Sequence, residues 1–185
     1  MKIENILQKI PFEKDLILNV YYYGSHLWKY ATKYSDIDLI IVIKNRLKYD
    51  NFKQCMHVDN YDMQIYDDDT FQKALDDNLF LPILTQLYKE CILKESKKFK
   101  CILKTANLKK SLIDEINRDI LFANKLVTKN MVDKANNTLK HSIRMAHIGL
   151  KIINKEPIDV SSESFETYEQ GVIIINKLLT EINRK

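Results

Sequence analysis

The chain has 185 residues, a net charge of +4 and three cysteines, which suits one domain or a small domain with a helical extension. Cys55, Cys91 and Cys101 show neither close pairing nor a CxxC spacing, so neither a disulfide framework nor a cysteine zinc site is expected. The amino terminus lacks the apolar run of a signal peptide, and the longest apolar run, residues 39–43, is too short to cross a bilayer; we therefore expect a cytoplasmic protein with no membrane-bound part.

Strand signals are concentrated in the first part of the chain, where β-branched and tyrosine residues recur in short runs. The pattern predicts strands over residues 15–23, 37–43, 55–58 and 61–66. It predicts helical structure over residues 3–9, in a turn and loop over 26–34, in a short piece over 45–53, and from about Thr70 with Asp69 or Thr70 as N-cap.

The remainder of the chain shows apolar residues at helical spacing and no convincing strand after Leu79. Helices are predicted over residues 82–93, 107–129, 131–154 and 161–183, the last with Ser161 or Ser162 as N-cap. We therefore predict an α+β protein. It would have a mixed β-sheet core with flanking helices over residues 1–78 and a helical bundle over residues 79–185.

Two aspartates mark the start of the second predicted strand. Asp36 and Asp38 stand at positions i and i+2, so their side chains are expected on the same side of the strand. Close carboxylates repel one another unless a cation lies between them. Mg²⁺ suits such a place, because it binds carboxylate oxygens together with substrate phosphates.

The end of the first predicted strand offers the other half of a site. Gly24 allows a close backbone approach to a ligand, and Ser25 adds a hydroxyl donor suited to a phosphate. Asp62, at the head of another strand-like run, is the candidate third carboxylate, with Gln64 on the same side. Asp59, Asp67 and Asp69 are its nearby rivals.

These segments together, Tyr23-Gly24-Ser25-His26-Leu27-Trp28 followed by Ser35-Asp36-Ile37-Asp38-Leu39, resemble the signature of the DNA polymerase β-like nucleotidyltransferase superfamily. The longer string is similar to small bacterial and phage members with helical C-terminal parts. The resemblance implies that Gly24 and Ser25 hold a triphosphate and that Asp36 and Asp38 bind two Mg²⁺ ions, with Mn²⁺ as an alternative. It further implies that Asp62 holds the catalytic ion and helps to activate an acceptor hydroxyl.

Weaker signals concern two histidines and an arginine. His26 follows Ser25 directly and can either contact a phosphate or be solvated. His141 and Arg144 share a helical face. The resemblance implies a contact of these two with nucleotide phosphates, while the alternative is a solvated histidine beside a surface ion pair.

Eight lysines lie between residues 89 and 110, as either a contact for a phosphate backbone or a solvated surface. Arg118 has no histidine four to six residues on, and His147 follows Arg144 too closely, so the helical part is not predicted to be a nuclease.

The expected activity is transfer of a nucleoside monophosphate from an NTP, with ATP as the favoured donor, to a hydroxyl acceptor with release of pyrophosphate. The acceptor is an RNA end, a protein or a small molecule, with RNA slightly favoured by the lysines. The alternatives are a non-catalytic member that serves as an antitoxin or nucleotide sensor, and a nucleic-acid-binding protein with incidental carboxylates.

Overall fold

The computed structural model describes residues 3–10, 12–27, 31, 35–44, 53–158 and 165–185. The chain divides into two compact units, the first comprising Met1–Asp77 with Leu81–Ile102 and the second comprising Asn78–Phe80 with Leu103–Lys185. Residues 81–102, which we expected in the helical region, therefore group with the first unit, and the domain boundary after residue 78 stays a prediction. None of the helices in the described ranges combines the length and apolar character that a membrane crossing requires.

The first unit is built on a five-stranded mixed sheet with the order β3-β4-β2-β1-β5. Its strands are β1 Ile17–Tyr23, β2 Ile37–Ile43, β3 Lys53–Val58, β4 Tyr61–Asp67 and β5 Ile92–Glu95. Its helices are α1 Ile3–Leu7, α2 Gly24–Leu27, α3 Asp68–Asp76 and α4 Phe80–Leu87, of which α4 begins in the second unit. The central pair β2 and β4 is parallel, whereas β1 pairs antiparallel with β2 and β5, and β3 pairs antiparallel with β4. This architecture confirms the predicted α+β class.

Alternation along β2 gives the sheet two different faces. Ile37, Leu39 and Ile41 belong to a buried apolar cluster that also includes Ile6 of α1 and Met63 of β4. The opposite face carries Asp38 and, deeper in the sheet, an aromatic group. In that group Tyr21, Tyr66 and Phe99 surround the Phe71 ring of α3, with ring centroids 4.9–5.6 Å apart. One face is therefore apolar throughout, and the other changes from aromatic to acidic along the strands.

Two predictions about the first unit are wrong. Residues 92–95 form β5, although no strand was expected after Leu79; the strand is short and ends in Lys94 and Glu95, so its apolar signal is weak. The N-cap of α3 is Asp67 rather than Asp69 or Thr70, since its Oδ1 accepts a hydrogen bond from the Thr70 N–H at 2.6 Å. The predicted helical piece over 45–53 lies mostly outside the described residues, as does much of the predicted loop over 26–34.

The second unit packs three helices, α5 Thr105–Val127, α6 Val132–Asn154 and α7 Tyr168–Arg184. Their buried residues follow the predicted apolar stripes, for example Leu112, Leu139 and Ile175. The last helix begins later than predicted, at a capping box formed by Thr167 and Gln170. The expected caps Ser161 and Ser162 lie outside the described residues.

Candidate active site

Asp38 lies near the start of β2 in the middle of the sheet. Its direct cross-strand partners are Tyr23 of β1 and Asp62 of β4. Because residues paired across a sheet project to the same face, Tyr23, Asp38 and Asp62 form a row on the acidic end of that face. Asp36 precedes the strand by one residue and projects to the same side.

The electrostatics of Asp38 show that these groups act on one another. Burial, and after it the charges of Asp62 and Asp36, raise the pKa of Asp38 from 3.8 to about 6. His26 and a hydrogen bond from the Ser25 backbone N–H oppose this shift in the pKa. Asp36 and Asp62 therefore lie close enough to Asp38, at one end of the sheet, for their charges to raise its pKa.

Gly24 fits against Asp38 in a way that no other residue could. Its φ is +71°, a left-handed conformation that L side chains rarely adopt. A Cβ atom built on Gly24 would lie 1.7 Å from Oδ2 of Asp38, less than any non-bonded contact allows. The glycine is therefore required both by the turn that follows β1 and by the carboxylate packed against it.

The two residues after Gly24 each form a hydrogen bond with the segment that comprises Ser35 to Asp38. The backbone N–H of Ser25 donates to Asp38, and the contact of the Ser25 hydroxyl with a phosphate stays a prediction. The Nε2 atom of His26 lies 2.9 Å from the backbone oxygen of Ser35, to which it can only donate. This hydrogen bond joins α2 to the segment that leads into Asp36, and no local sequence pattern predicted it.

The rivals of Asp62 for the third carboxylate occupy other places. Asp59 lies in the turn between β3 and β4 with φ +54°, where it pairs with Lys9 at 2.6 Å. Asp67 is buried and caps α3, and Asp69 is exposed in the first turn of that helix. Of these four, Asp62 is the one paired with Asp38, and its catalytic role stays a prediction.

Sequence reasoning missed Tyr23 as a component of the site. Its hydroxyl accepts a hydrogen bond from Nε2 of Gln64 at 3.0 Å, and Oε1 of Gln64 accepts one from the Tyr66 hydroxyl at 3.3 Å. Burial, followed by the charges of Asp38 and Asp62, raises the pKa of Tyr23 well above its usual range. The alternation of Tyr21 and Tyr23 on β1 was the available signal, because it places Tyr23 on the same face as Asp38.

The donor set suits a hard divalent cation. No three His, Cys, Asp or Glu side chains within the described ranges are gathered tightly enough to form a ready metal cage. However, Asp36, Asp38 and Asp62 supply carboxylate oxygens alone, which Mg²⁺ and Mn²⁺ favour. The raised pKa of Asp38 reflects burial first and then repulsion by Asp62 and Asp36, and a bound cation would favour the ionised carboxylate against both.

His141 and Arg144 lie on α6 in the second unit, whereas the aspartates lie in the first. Burial lowers the pKa of His141, Asp119 of α5 opposes that shift, and Arg144 adds to it. Asp119 also accepts a hydrogen bond from the Ser142 hydroxyl at 2.7 Å. The pair thus belongs to a polar group between α5 and α6, and its contact with nucleotide phosphates stays a prediction.

Three of the eight clustered lysines have partners within the first unit. Lys94 donates to the backbone oxygen of Ile17 at 2.5 Å, Lys97 pairs with Asp68 at 2.7 Å, and Lys98 pairs with Glu95. Lys104, Lys109 and Lys110 fall in the second unit. Some lysines of the cluster therefore make contacts within the protein, which weakens the case for a continuous phosphate-binding surface.

Comparison with known proteins identifies a family. The chain matches the family model of the nucleotidyltransferase domain over residues 2–134, more than half of its length. No curated protein matches it. Among solved structures it is similar to a nucleotidyltransferase-like protein from Exiguobacterium sibiricum 255-15, with a TM-score of 0.34 and 10% sequence identity. That match covers 98% of this chain but 66% of the other, and at this TM-score it adds no argument about the site.

Proposed function

The chain belongs to the nucleotidyltransferase domain family, of the DNA polymerase β-like type, and we propose that it is an active, Mg²⁺-dependent member. Nucleotidyl transfer is the general activity of this family. The proposed reaction moves a nucleoside monophosphate from an NTP to a hydroxyl acceptor and releases pyrophosphate. ATP is the proposed donor.

One observation carries the proposal: Asp38 stands between Asp62 on one side and the Gly24-Ser25 turn on the other. A site of this family's chemistry needs carboxylates for the cation beside backbone that can approach a triphosphate. Gly24 packs directly against the Asp38 carboxylate, so the turn and the carboxylate are adjacent as this chemistry requires. A solvated pair of aspartates at a strand end would not require it.

In the proposed site, Asp36, Asp38 and Asp62 hold two Mg²⁺ ions, for which Mn²⁺ is the alternative. Bound ions would neutralise charge on the triphosphate and on the departing pyrophosphate. Gly24 lets the backbone approach the triphosphate, and the Ser25 hydroxyl donates to a phosphate oxygen. His26 shapes this turn through its hydrogen bond to Ser35, and Arg144 and His141 are further proposed phosphate contacts.

The reaction itself exchanges one bond for another. The acceptor oxygen forms a bond to the α-phosphorus, and the bond from that phosphorus to the bridging oxygen of the β-phosphate breaks. Asp62 takes up the hydroxyl proton as the oxygen attacks, and pyrophosphate leaves with the electron pair. The chain's residues thus contribute positioning and charge, which is where most of the rate enhancement in phosphoryl transfer arises.

The acceptor is an RNA end, a protein side chain or a small molecule. RNA remains the first acceptor to test because eight lysines lie between residues 89 and 110, although Lys94, Lys97 and Lys98 make contacts within the first unit. The proposed setting is the cytoplasm, as the sequence predicts.

The test is pyrophosphate release from each of the four NTPs with Mg²⁺, with and without total cellular RNA. Wild type should release pyrophosphate, and Asp38→Asn should lose nearly all of that activity. Asp69→Asn is the matched control, because it removes the same charge from an exposed carboxylate in the first turn of α3.

Equal release by wild type and Asp38→Asn would contradict the proposed site. Binding of Mg²⁺-ATP by wild type without pyrophosphate release from any NTP would favour the non-catalytic alternative. Salt-dependent RNA binding that Asp36→Ala and Asp38→Ala leave unchanged would favour the nucleic-acid-binding alternative.

A further inference from the structure

The acidic end of the sheet rests on a short chain of hydrogen bonds. The Tyr66 hydroxyl donates to Oε1 of Gln64 at 3.3 Å, and Nε2 of Gln64 donates to the Tyr23 hydroxyl at 3.0 Å. All three side chains are buried or half-buried. By the strand register, Gln64 follows Asp62 by two residues on the same face of β4, and Tyr23 pairs with Asp38.

The amide nitrogen of Gln64, rather than its oxygen, faces Tyr23. If Oε1 faced Tyr23, the phenol would give its proton to the amide and turn its lone pairs toward Asp38 and Asp62. With Nε2 facing Tyr23, as observed, the phenol oxygen accepts from the amide and its own proton can point at a carboxylate. This second arrangement is favourable because a hydrogen bond to an ionised acceptor is stronger than one between neutral groups.

The strand register sets Tyr23 beside the acidic row, and Gln64 holds its hydroxyl by the hydrogen bond that it donates.

We infer that Tyr23 is a positioning residue, whose hydroxyl holds the Asp38–Asp62 carboxylate pair in the orientation that binds the divalent cations. This inference rests on the proposed function, because it assigns a support to the same site. A donor of this kind fixes the free oxygen of a ligating carboxylate and lowers the cost of ordering it when the cation arrives.

The experiment measures cation binding rather than turnover. Mn²⁺ is titrated into the full chain in the presence of a non-hydrolysable ATP analogue, and free Mn²⁺ is followed by electron paramagnetic resonance. Tyr23→Phe should weaken Mn²⁺ binding by about tenfold, which is the lower end of the effect of such supporting groups. Pyrophosphate release should fall mainly in kcat, with the KM for the NTP little changed.

Tyr21→Phe is the matched control, since it makes the same change on the same face of the same strand. The Tyr21 hydroxyl is also buried and accepts from two amides, Nδ2 of Asn19 at 2.6 Å and Nε2 of Gln86 at 3.1 Å. Its loss should lower thermal stability and leave Mn²⁺ affinity at the wild-type value. A general loosening of the fold would instead weaken Mn²⁺ binding in both variants and would overturn the inference.

A second variant tests the inference if Tyr23→Phe does not fold. Gln64→Met keeps the length of the side chain and removes the amide donor, so Mn²⁺ binding should weaken by about threefold, as expected for one lost hydrogen bond. Wild-type affinity in either variant would overturn the role of Tyr23 and leave the proposed function intact. Mn²⁺ binding that Asp38→Asn leaves unchanged would overturn the proposed function itself.

Discussion

The same face of the sheet carries two polar clusters of opposite character. At one end, the buried amide of Asn19 donates to the Tyr21 hydroxyl and to the backbone oxygen of Lys97, and it accepts from the backbone N–H groups of Ser96 and Lys97. At the other end, burial and after it the charges of Asp62 and Asp36 raise the pKa of Asp38. The first cluster satisfies its groups internally, whereas the second carries a buried, repelled charge that a bound cation or a proton would relieve.

This difference separates the groups that hold the fold from those that serve a reaction. Neutral, fully hydrogen-bonded groups fix a single geometry without destabilising it. Like charges brought together destabilise the empty protein and are retained where a cation or substrate needs them. Substitutions at the two ends should therefore have opposite consequences for stability and activity.

The largest effect is expected from Gly24→Ala, which disrupts the acidic cluster. The added Cβ would lie 1.7 Å from Asp38 Oδ2 at a φ of +71°, so the turn and the carboxylate must move apart. A displacement of about 1 Å in such a site costs about a hundredfold in rate, and pyrophosphate release measures it. Full activity in this variant would show that the contact between turn and carboxylate does not matter.

The next effect is expected from Asn19→Ala, which breaks the neutral cluster. It removes the side-chain acceptor of the Lys97 N–H, the donor to the Lys97 backbone oxygen and one of the two amides that donate to the Tyr21 hydroxyl, so the free energy of unfolding should fall by about 2 kcal/mol. Urea denaturation measures this loss. Mn²⁺ affinity should stay at the wild-type value at temperatures where the variant is folded, and a parallel loss of affinity would mean that the two clusters are one unit.

Asp38→Asn should do the reverse, abolishing activity while stabilising the metal-free protein. The folded-state pKa of about 6 lies above the ordinary value of 3.8, so ionisation of Asp38 costs stability as the pH rises through 6. At about pH 7.5 in EDTA the variant should be about 1 kcal/mol more stable, allowing for the screening of a half-exposed group.

The same linkage predicts that this difference shrinks toward pH 4, where the wild-type carboxyl is protonated in the folded state and only partly ionised in the unfolded state. Urea denaturation at the two pH values checks it. Asp69→Asn again serves as the comparison, because it should give no gain at either pH. A variant less stable than wild type in EDTA would show that Asp38 is not under electrostatic stress.

The smallest effect is expected from Tyr66→Phe, which removes the hydrogen bond to Gln64. Tyr66 packs edge-on against Phe71 and donates to Gln64 through the longer bond of the chain, at 3.3 Å. Mn²⁺ affinity should fall by about twofold, as suits one weak neutral hydrogen bond. An effect as large as that of Tyr23→Phe would mean that all three hydrogen-bonded side chains, rather than Tyr23 alone, position the carboxylates.

The sequence predicted the acidic cluster much better than the neutral one. Asp36, Asp38 and Gly24 follow local rules, namely the alternation along a strand and the need for glycine at a turn, and β2 was predicted at its observed bounds. Asp62 required a choice among four aspartates; the parallel register of β2 and β4 pairs it with Asp38, and its role as the third carboxylate stays a prediction.

The parts that were missed depend on residues distant in sequence. Asn19 bonds to residues 96 and 97, and β5 owes its place to pairing with β1 rather than to a strong strand pattern. The hydroxyl of Tyr23 accepts its hydrogen bond from Gln64, 41 positions along the chain. No local periodicity reports such partners, so they become visible only when the strands are paired.

The parallel pairing of β2 with β4 also bears on when the acidic cluster can exist during folding. Asp38 and Asp62 meet only when β4, which follows β3 along the chain, pairs in parallel with β2. Loop closure of this kind is slow, and contacts that depend on it tend to form late. A cation bound by both carboxylates would then stabilise the native state more than the transition state. Its main kinetic signature should be slower unfolding, with the refolding rate little changed.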